Sequence, residues 1–314
     1  MTHAYLISIA LSSAISLEVA AYPKPGNVHR LHDYEDTRFE DFLITSHVMQ
    51  PIFIEVFNNS LREERVEIGR AIYLSVKFAK RIHKNGNTNL GLATLLIPLA
   101  ASAPHCLPEL NINRLATEAV NIVKNSDVND AIMFYKAIRE AAPSYIKKSK
   151  PKNTNLPDVY AIDFEYELKK NNYTLWDVLI ESATWDLVSK ELISGYPESL
   201  LVKSLIEKNL SKLGWNNSVV LAYIYLLSLR PDSLVIRKSS EEIARSIMDD
   251  AKLIYKKKIN SRAGWKLLNM LDKKLYSSRL NPGATADIIA SGIAFYNIQK
   301  MVENLELIMF EEKD

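Results

Sequence analysis

Three short polar segments gather the residue types that hold phosphate, bind a divalent cation or move a proton. The first runs Tyr22-Pro23-Lys24-Pro25-Gly26-Asn27-Val28-His29-Arg30. Two prolines stiffen the backbone, Gly26 permits a sharp redirection, and Lys24, His29 and Arg30 supply cations or donors. Asp33, Glu35, Asp36 and Asp41 follow closely. Two readings are open: a helix stop with a solvated loop, or a metal–phosphate site in which carboxylates hold Mg²⁺ and cations neutralise phosphate oxygens. The second segment, Asn85-Gly86-Asn87-Thr88-Asn89-Leu90-Gly91, leads into an apolar run. Asn87 or Thr88 can cap the helix there, and the free amides of a first turn attract anions. It lacks the Gly-Lys-Ser/Thr of a P-loop. The third, from Asn281 through Pro282, Gly283 and Thr285 to Asp287, reads as a helix start with Asn281 as cap and Pro282 as first helical residue. Ala284, Asp287, Ile288, Ser291 and Phe295 then share a face, which turns Asp287 inward, where it needs a partner, a proton or a metal.

The elements that must position these groups are helices. Leu11, Ala14, Ile15 and Glu18 share one face of an N-terminal helix, so its apolar stripe ends in a carboxylate. The same stretch carries Ser8, Ser12, Ser13, Ser16 and Glu18 and lacks a basic leader, which argues against a signal peptide or a membrane span. Helical spacing recurs at 68–82, 88–101, 112–123, 130–141, 176–192, 219–229 and 240–255, while strand-like alternation is scarce. Short turns between these runs predict an all-α fold, a single-domain antiparallel multi-helix bundle over residues 1–314. Residues 143–174, lysine- and asparagine-rich, stand out as a surface loop, linker or lid.

Composition narrows the function. With 314 residues, 47% of them hydrophobic, the chain can bury a large core, and nine glycines with twelve prolines disfavour many-turned β architectures. A formal net charge of +2 gives no global case for nucleic acid or an anionic membrane, although a local basic pocket for a phosphate-bearing small molecule needs no global excess. Cys106 is the only cysteine, which excludes an internal disulfide and a multi-Cys zinc site and fits a cytoplasmic setting. His29 and His32 are the only closely spaced histidines and no His-Glu-x-x-His occurs, so zinc is disfavoured.

Taken in order, the segments resemble the triphosphoribosyl-dephospho-CoA synthase family: Glu18 on the first helix, Pro23-Lys24-Pro25-Gly26, the acidic stretch from Asp33 to Asp41, Asn87-Thr88, and Pro282-Gly283-Ala284-Thr285-Ala286-Asp287. The chain is most similar to the archaeal-type branch in Pro25 to Arg30, Asn87 to Gly91, Asp130-Ala131 with Ala137 to Arg139, and Pro231 to Leu234 with Arg237 and Lys238. Bacterial members carry His-Lys where this chain has Asn89-Leu90. The resemblance implies an all-helical transferase that moves the triphosphoribosyl group of ATP to the 2′-hydroxyl of dephospho-CoA and releases adenine, in prosthetic-group biosynthesis.

Such chemistry passes through an oxocarbenium-like state and needs carboxylates near the anomeric carbon and the acceptor hydroxyl. Glu18, Asp36 and Asp287 are the catalytic candidates, with Asp36 and Asp287 also the Mg²⁺ candidates. Lys24, Gly26, Asn27, His29, Arg30, Asn87, Thr88, Asn89, Arg237, Lys238, Asn281 and Thr285 are the substrate and phosphate candidates; for Arg237 and Lys238 a solvated helix face is the competing reading. If Glu18 and Asp287 serve one centre, the end of the first helix must meet the start of the last, with Mg²⁺ or a basic group between them. The partners implied are ATP and dephospho-CoA or a related acceptor, with no nucleic acid and no membrane; a homo-oligomer is left open. Transfer to another acceptor and a non-catalytic nucleotide-binding protein are the alternatives.

Overall fold

The periodic runs all become helices. The computed structural model describes residues 2–84, 86–107, 109–141 and 154–311, with side chains described from 3 to 304. Among these are fourteen α-helices and no strand: α1 (Thr2–Ala20), α2 (Phe39–Leu61), α3 (Ile68–His83), α4 (Leu90–Ser102), α5 (Ile112–Lys124), α6 (Val128–Ala141) and α7 (Phe164–Lys170) in the first half. The second half holds α8 (Leu175–Ser182), α9 (Leu187–Ile193), α10 (Pro197–Leu229), α11 (Ser233–Lys238), α12 (Glu241–Lys257), α13 (Arg262–Ser277) and α14 (Gly283–Glu311). The all-α expectation holds.

α4 is the innermost element. Every residue from Leu92 to Ser102 is buried, as a helix apolar on all sides must be. α1, α2, α3, α5 and α14 pack around it, α1 lies against α2 and α14, and α10 lies against α14 and α12. α1 is the one described helix long and apolar enough to cross a membrane, yet Ala4, Ile7, Ala10, Leu11, Ala14 and Ile15 are spent on the core. One hydrophobic cluster draws side chains from α1 through α14.

Three details differ from the sequence reading. The run at 176–192 divides into α8 and α9, because the Asp186 carboxylate accepts the Ser189 amide at 2.9 Å and starts a new helix. The run at 219–229 is only the end of α10, which extends back to Pro197 across a kink at Gly214. The polar segment at 143–174 is more than a surface loop where it is described; residues 142–153 lie outside the described ones. Tyr135 donates to the Pro157 carbonyl at 3.1 Å, the Asn155 amide reaches Glu181 at 2.6 Å, and α7 forms within the segment.

Candidate active site

Glu18 ends the buried stripe of α1, one turn before the chain leaves the helix at Tyr22-Pro23. The following loop turns Lys24 back beneath it, and the two form a buried ion pair by a short Nζ–Oε1 contact. Lys24 is 0% exposed, so it is sealed inside the molecule and does not face an open anion site. Burial pushes the Glu18 carboxyl up and the Lys24 ammonium down, and each offsets part of the other's shift. Asp272 and Asp287 also favour the charged form of Lys24. Among the described residues, three carboxylates therefore act on one cation.

The loop is tied down along its length. The Tyr22 amide donates to Asn216 Oδ1 at 2.9 Å and Asn216 Nδ2 returns to the Tyr22 carbonyl at 2.7 Å. Asn27 Nδ2 donates to the Tyr223 hydroxyl at 2.6 Å, which donates in turn to the Pro25 carbonyl at 2.9 Å. Gly26 has φ +78°, and a Cβ there would sit 2.1 Å from the Leu280 carbonyl oxygen, so the turn needs glycine. Arg30 is exposed; its Nε reaches the Ala20 carbonyl at 2.6 Å and its guanidinium lies over the Tyr22 ring. His29 is buried beside Asp272 of α13.

Asp287 enters from the second turn of α14. Its carboxylate lies against Gly91 at the start of α4, where an added Cβ would be 2.0 Å from Oδ2. The residue is half-buried, its carboxylate crowded against the start of α4. Burial raises its pKa well above the usual range; Glu18, Asp186 and Asp232 raise it further, and Lys24 opposes them. No hydrogen-bond partner of this carboxylate is found among the described residues. The structure thus brings Glu18 and Asp287 to one place, with Lys24 as the cation that both feel.

The start of α14 is capped differently from the sequence reading. Asp232 Oδ2 accepts the Thr285 amide at 2.8 Å and the Thr285 hydroxyl at 2.7 Å, while Oδ1 caps α11 through the Leu234 and Val235 amides. Asn281 does not cap, because a carboxylate from another helix already holds that position; its Oδ1 is buried without a partner. The Thr285 hydroxyl also accepts from Arg230, and the residue is fully buried. Arg237 pairs with Asp186 at 2.8 Å and so belongs to the cluster around Asp287, which a solvated face would not explain. Lys238 keeps exposed surface, but crowding at its ammonium lowers its pKa against the pull of Asp36 and Asp232. Asp36 is exposed, and its carbonyl accepts the Gly86 amide at 2.6 Å, which sets the outer edge of the site against the second polar segment.

In that segment the cap is Asn87, whose Oδ1 accepts the Asn89 and Leu90 amides at 3.2 and 3.0 Å. Thr88 is buried and does not cap: its hydroxyl meets Thr45 at 2.8 Å and His83 Nε2 at 3.2 Å. Asn89 Nδ2 donates to the Ser75 carbonyl at 3.0 Å. Together with Lys80 and His83, these three line a crevice too tight to hold a water molecule. A larger open concavity on α12 is lined by Glu241, Glu242, Asp249 and Asp250 with Arg245 and Ser246, and three of its carboxylates are paired with Arg245, Lys252 and Lys274.

Four participants carried little sequence signal. Asp232 lies inside the matched Pro231 to Leu234, yet it and Asp186 look like ordinary helix caps, which they also are. Tyr223 sits in an apolar run, and Asp272 sits in Leu271-Asp272-Lys273-Lys274, a pattern that reads as solvated surface.

The family profile described as ATP:dephospho-CoA triphosphoribosyl transferase matches residues 4–305. Among solved structures, a crystal structure from Archaeoglobus fulgidus, whose protein is provisionally designated a triphosphoribosyl-dephospho-CoA synthase, is similar with 25% identity and a TM-score of 0.61. The match covers 81% of this chain and 97% of that one. No curated protein matches the chain in sequence. With a profile match across nearly its whole length and a fold of the same kind, the chain belongs to the ATP:dephospho-CoA triphosphoribosyl transferase family.

Proposed function

We propose that the family's reaction, transfer of the triphosphoribosyl group from ATP to dephospho-CoA, takes place in this chain at the Glu18–Lys24–Asp287 centre. The observation that carries this is Asp287, a half-buried carboxylate packed against Gly91 with three further acidic groups acting on it and no described hydrogen-bond donor. Structural carboxylates are normally saturated with donors, so an unsaturated one is available for chemistry.

In the transfer, the bond between ribose C1′ and adenine breaks, and a bond from C1′ to the acceptor 2′-hydroxyl oxygen forms. Asp287 takes the hydroxyl proton; its raised pKa brings it nearer to the working range of a general base than an ordinary aspartate. Adenine leaves with the bonding electrons and gains one proton, so the reaction is proton-neutral overall. Glu18 lends negative charge beside the oxocarbenium-like state, and Lys24 keeps Glu18 and Asp287 from repelling each other apart. Arg237, paired with Asp186, and Lys238, beside Asp36 and Asp232, supply the cations for the polyphosphate, with Asn87 at the start of α4 on the same side. Asn281, with its unpartnered Oδ1, is available to a substrate hydroxyl.

Glu18, Asp186 and Asp232 are engaged by Lys24, Arg237 and the starts of α11 and α14, so Mg²⁺ here would be held by Asp287 together with the substrate's own phosphate oxygens, and when bound would offset triphosphate charge. The buried single thiol of Cys106 and the use of α1 in the core support a cytoplasmic enzyme.

The test is adenine release by the purified protein with ATP, Mg²⁺ and dephospho-CoA, followed by the mass of the product. Release that requires dephospho-CoA, and a product heavier by one triphosphoribosyl group, are expected. Release that ignores dephospho-CoA but follows another acceptor would overturn the acceptor, and nucleotide binding without release would overturn the reaction.

A further inference from the structure

The loop that delivers Lys24 is held from outside by a carboxylate that no motif announces. Asp272 of α13 is 4% exposed and directs both oxygens inward. Oδ1 accepts the Gly26 amide at 3.3 Å, and Oδ2 faces His29 Nε2 at 3.4 Å. The same Oδ2 lies 3.1 Å from His32 Nδ1, which is buried and not aligned as a hydrogen bond. The two imidazoles stack with centroids 4.7 Å apart, and Tyr276 stacks on His32 at 4.4 Å.

Two imidazole nitrogens and a carboxylate oxygen within 4.8 Å of one another have the spacing of a transition-metal site. The hydrogen bonds decide otherwise. His29 Nδ1 accepts the Leu31 amide at 3.2 Å, so a neutral ring must carry its proton on Nε2 and has no lone pair there for a metal. Burial favours that neutral ring by lowering the His29 pKa, with Asp272 opposing. The Nε2 proton points at Asp272.

We infer that Asp272 is a positioning residue for the triphosphoribosyl transfer: it fixes His29 in the Nε2–H tautomer, takes the Gly26 amide, and so holds the 23–30 loop in the shape that sets Lys24 between Glu18 and Asp287. This rests on the reading of Glu18, Lys24 and Asp287 as the reaction centre. The ionisable groups acting with Asp272 are Lys24, His29 and His32 from the loop, Tyr34 beyond it, and Tyr223 from α10. Asp272 favours the charged form of Lys24, against the burial that lowers its pKa. Asp272 touches the loop and not the carboxylate of Asp287, so its effect on turnover passes through Lys24.

Asp272→Asn keeps the shape and one acceptor oxygen but removes the charge; Asp272→Ala removes both. Three measurements are needed on each variant and on the wild-type chain: ¹⁵N shifts of labelled histidine, kcat and KM for ATP by adenine release, and melting temperature. The expected result for Asp272→Asn is a folded protein in which His29 loses its single Nε2–H signature and kcat falls about 10- to 100-fold, the range for lost orienting partners, while KM for ATP moves far less. A merely structural role would leave the tautomer as in the wild type, or lower kcat only in proportion to the unfolded fraction, and either outcome overturns the inference. Stoichiometric Co²⁺ binding that disappears in Asp272→Ala and His32→Ala would overturn it in favour of a metal centre. The histidine shifts do not depend on turnover. If the wild-type chain releases no adenine, the reaction centre fails as a reading, while a His29 tautomer that survives Asp272→Ala still overturns the hold of Asp272 on the loop.

Discussion

Two helices of this protein begin alike and are used differently. α3 starts Ile68-Gly69 and α4 starts Leu90-Gly91, and in each case the glycine makes room for an aspartate near the start of another helix. A Cβ on Gly69 would sit 2.0 Å from the carbonyl oxygen of Asp130; one on Gly91 would sit 2.0 Å from Oδ2 of Asp287. Asp130 is saturated: it accepts the Gly69 amide at 3.0 Å, the Asp127 amide at 3.2 Å and Arg65 at 2.8 Å. Burial raises the pKa of both carboxyls, but for Asp130 two amides and Arg65 work against it, whereas for Asp287 three more carboxylates add to it and only Lys24 opposes. In both places a glycine at a helix start admits an aspartate, by its backbone at Gly69 and by its carboxylate at Gly91; donors saturate the first carboxylate, while the second, the proposed base, has none among the described residues.

The comparison breaks most clearly at the two aspartates. Asp287→Asn should keep the fold and remove turnover by about 10²- to 10⁴-fold, the usual worth of a general base. It should also raise the melting temperature at neutral pH, because the amide has no proton to lose in a crowded site. Asp130→Asn should do the opposite: activity per folded molecule is retained, and stability falls by about 1–3 kcal/mol as charge-assisted bonds weaken. Parallel adenine-release assays and melts of the two variants check this. Equal activity losses, or a destabilised Asp287→Asn, would erase the distinction.

Lys24 is the next lever. Lys24→Met leaves Glu18 buried without its cation and should cost about 3–5 kcal/mol of stability. Adding Glu18→Gln should restore most of that and no turnover, since the apolar–amide pair needs no counter-charge. Chemical denaturation of the single and double variants measures it. If the double variant is no more stable than Lys24→Met, the pair is not what holds the loop.

A smaller effect separates the glycines. Gly69→Ala meets backbone on the Asp130 side and should lower stability with little change in kcat; Gly91→Ala meets a side-chain carboxylate that can move. The second variant should therefore melt closer to wild type and lose more turnover, because Asp287 is displaced. Reversed rankings in melting temperature and kcat would show that Gly91 serves packing alone.

Why some of this is legible in the sequence and some is not follows from what each residue needs. Glu18 and Asp287 can be found because a charge inside an apolar 3.6-residue stripe has nowhere else to point. Lys24 can be found as part of Pro-Lys-Pro-Gly, but not its burial, since a lysine between prolines looks exposed until Glu18 is seen waiting beneath the loop. Asn281 misleads because its amide is a good cap by type, and the competitor Asp232 lies 49 residues away in sequence, where local pattern carries no information. Asp272 is hidden by its lysine neighbours: its place is set by the packing of α13 on the loop and not by α13 itself. The periodic runs named from the sequence fall in helices, but α2, α13 and the first half of α10 are not among them although each buries residues, and the α8–α9 break is missed, where a single capping aspartate outweighs the continuing period.

The smallest predicted effect is in the pH dependence of stability, where Asp287 and His29 pull in opposite directions. The folded pKa of Asp287 is raised, so between the unfolded value of 3.8 and the folded value the native state holds a proton that the unfolded chain has lost; stability from this group falls as pH rises through that window. The folded pKa of His29 is lowered, so below the unfolded value of 6.5 the unfolded chain takes a proton that the native ring refuses; stability from this group falls as pH drops toward the folded value. On acidification from pH 6.5 the gain at Asp287 masks part of the loss at His29. Asp287→Asn removes the gain alone, so its denaturation midpoint should fall more steeply than that of the wild type as pH drops below 6.5, by up to about 1 kcal/mol for each pH unit over which the two windows overlap. Asp130→Asn provides the control, since its carboxyl is raised in the same direction and its loss should steepen the curve as well, though less, because donors already hold its charge. Curves for all three proteins that run parallel would mean that Asp287 is ionised in the folded state throughout this range, and the difference between the two glycine contacts would then lie in position and not in charge.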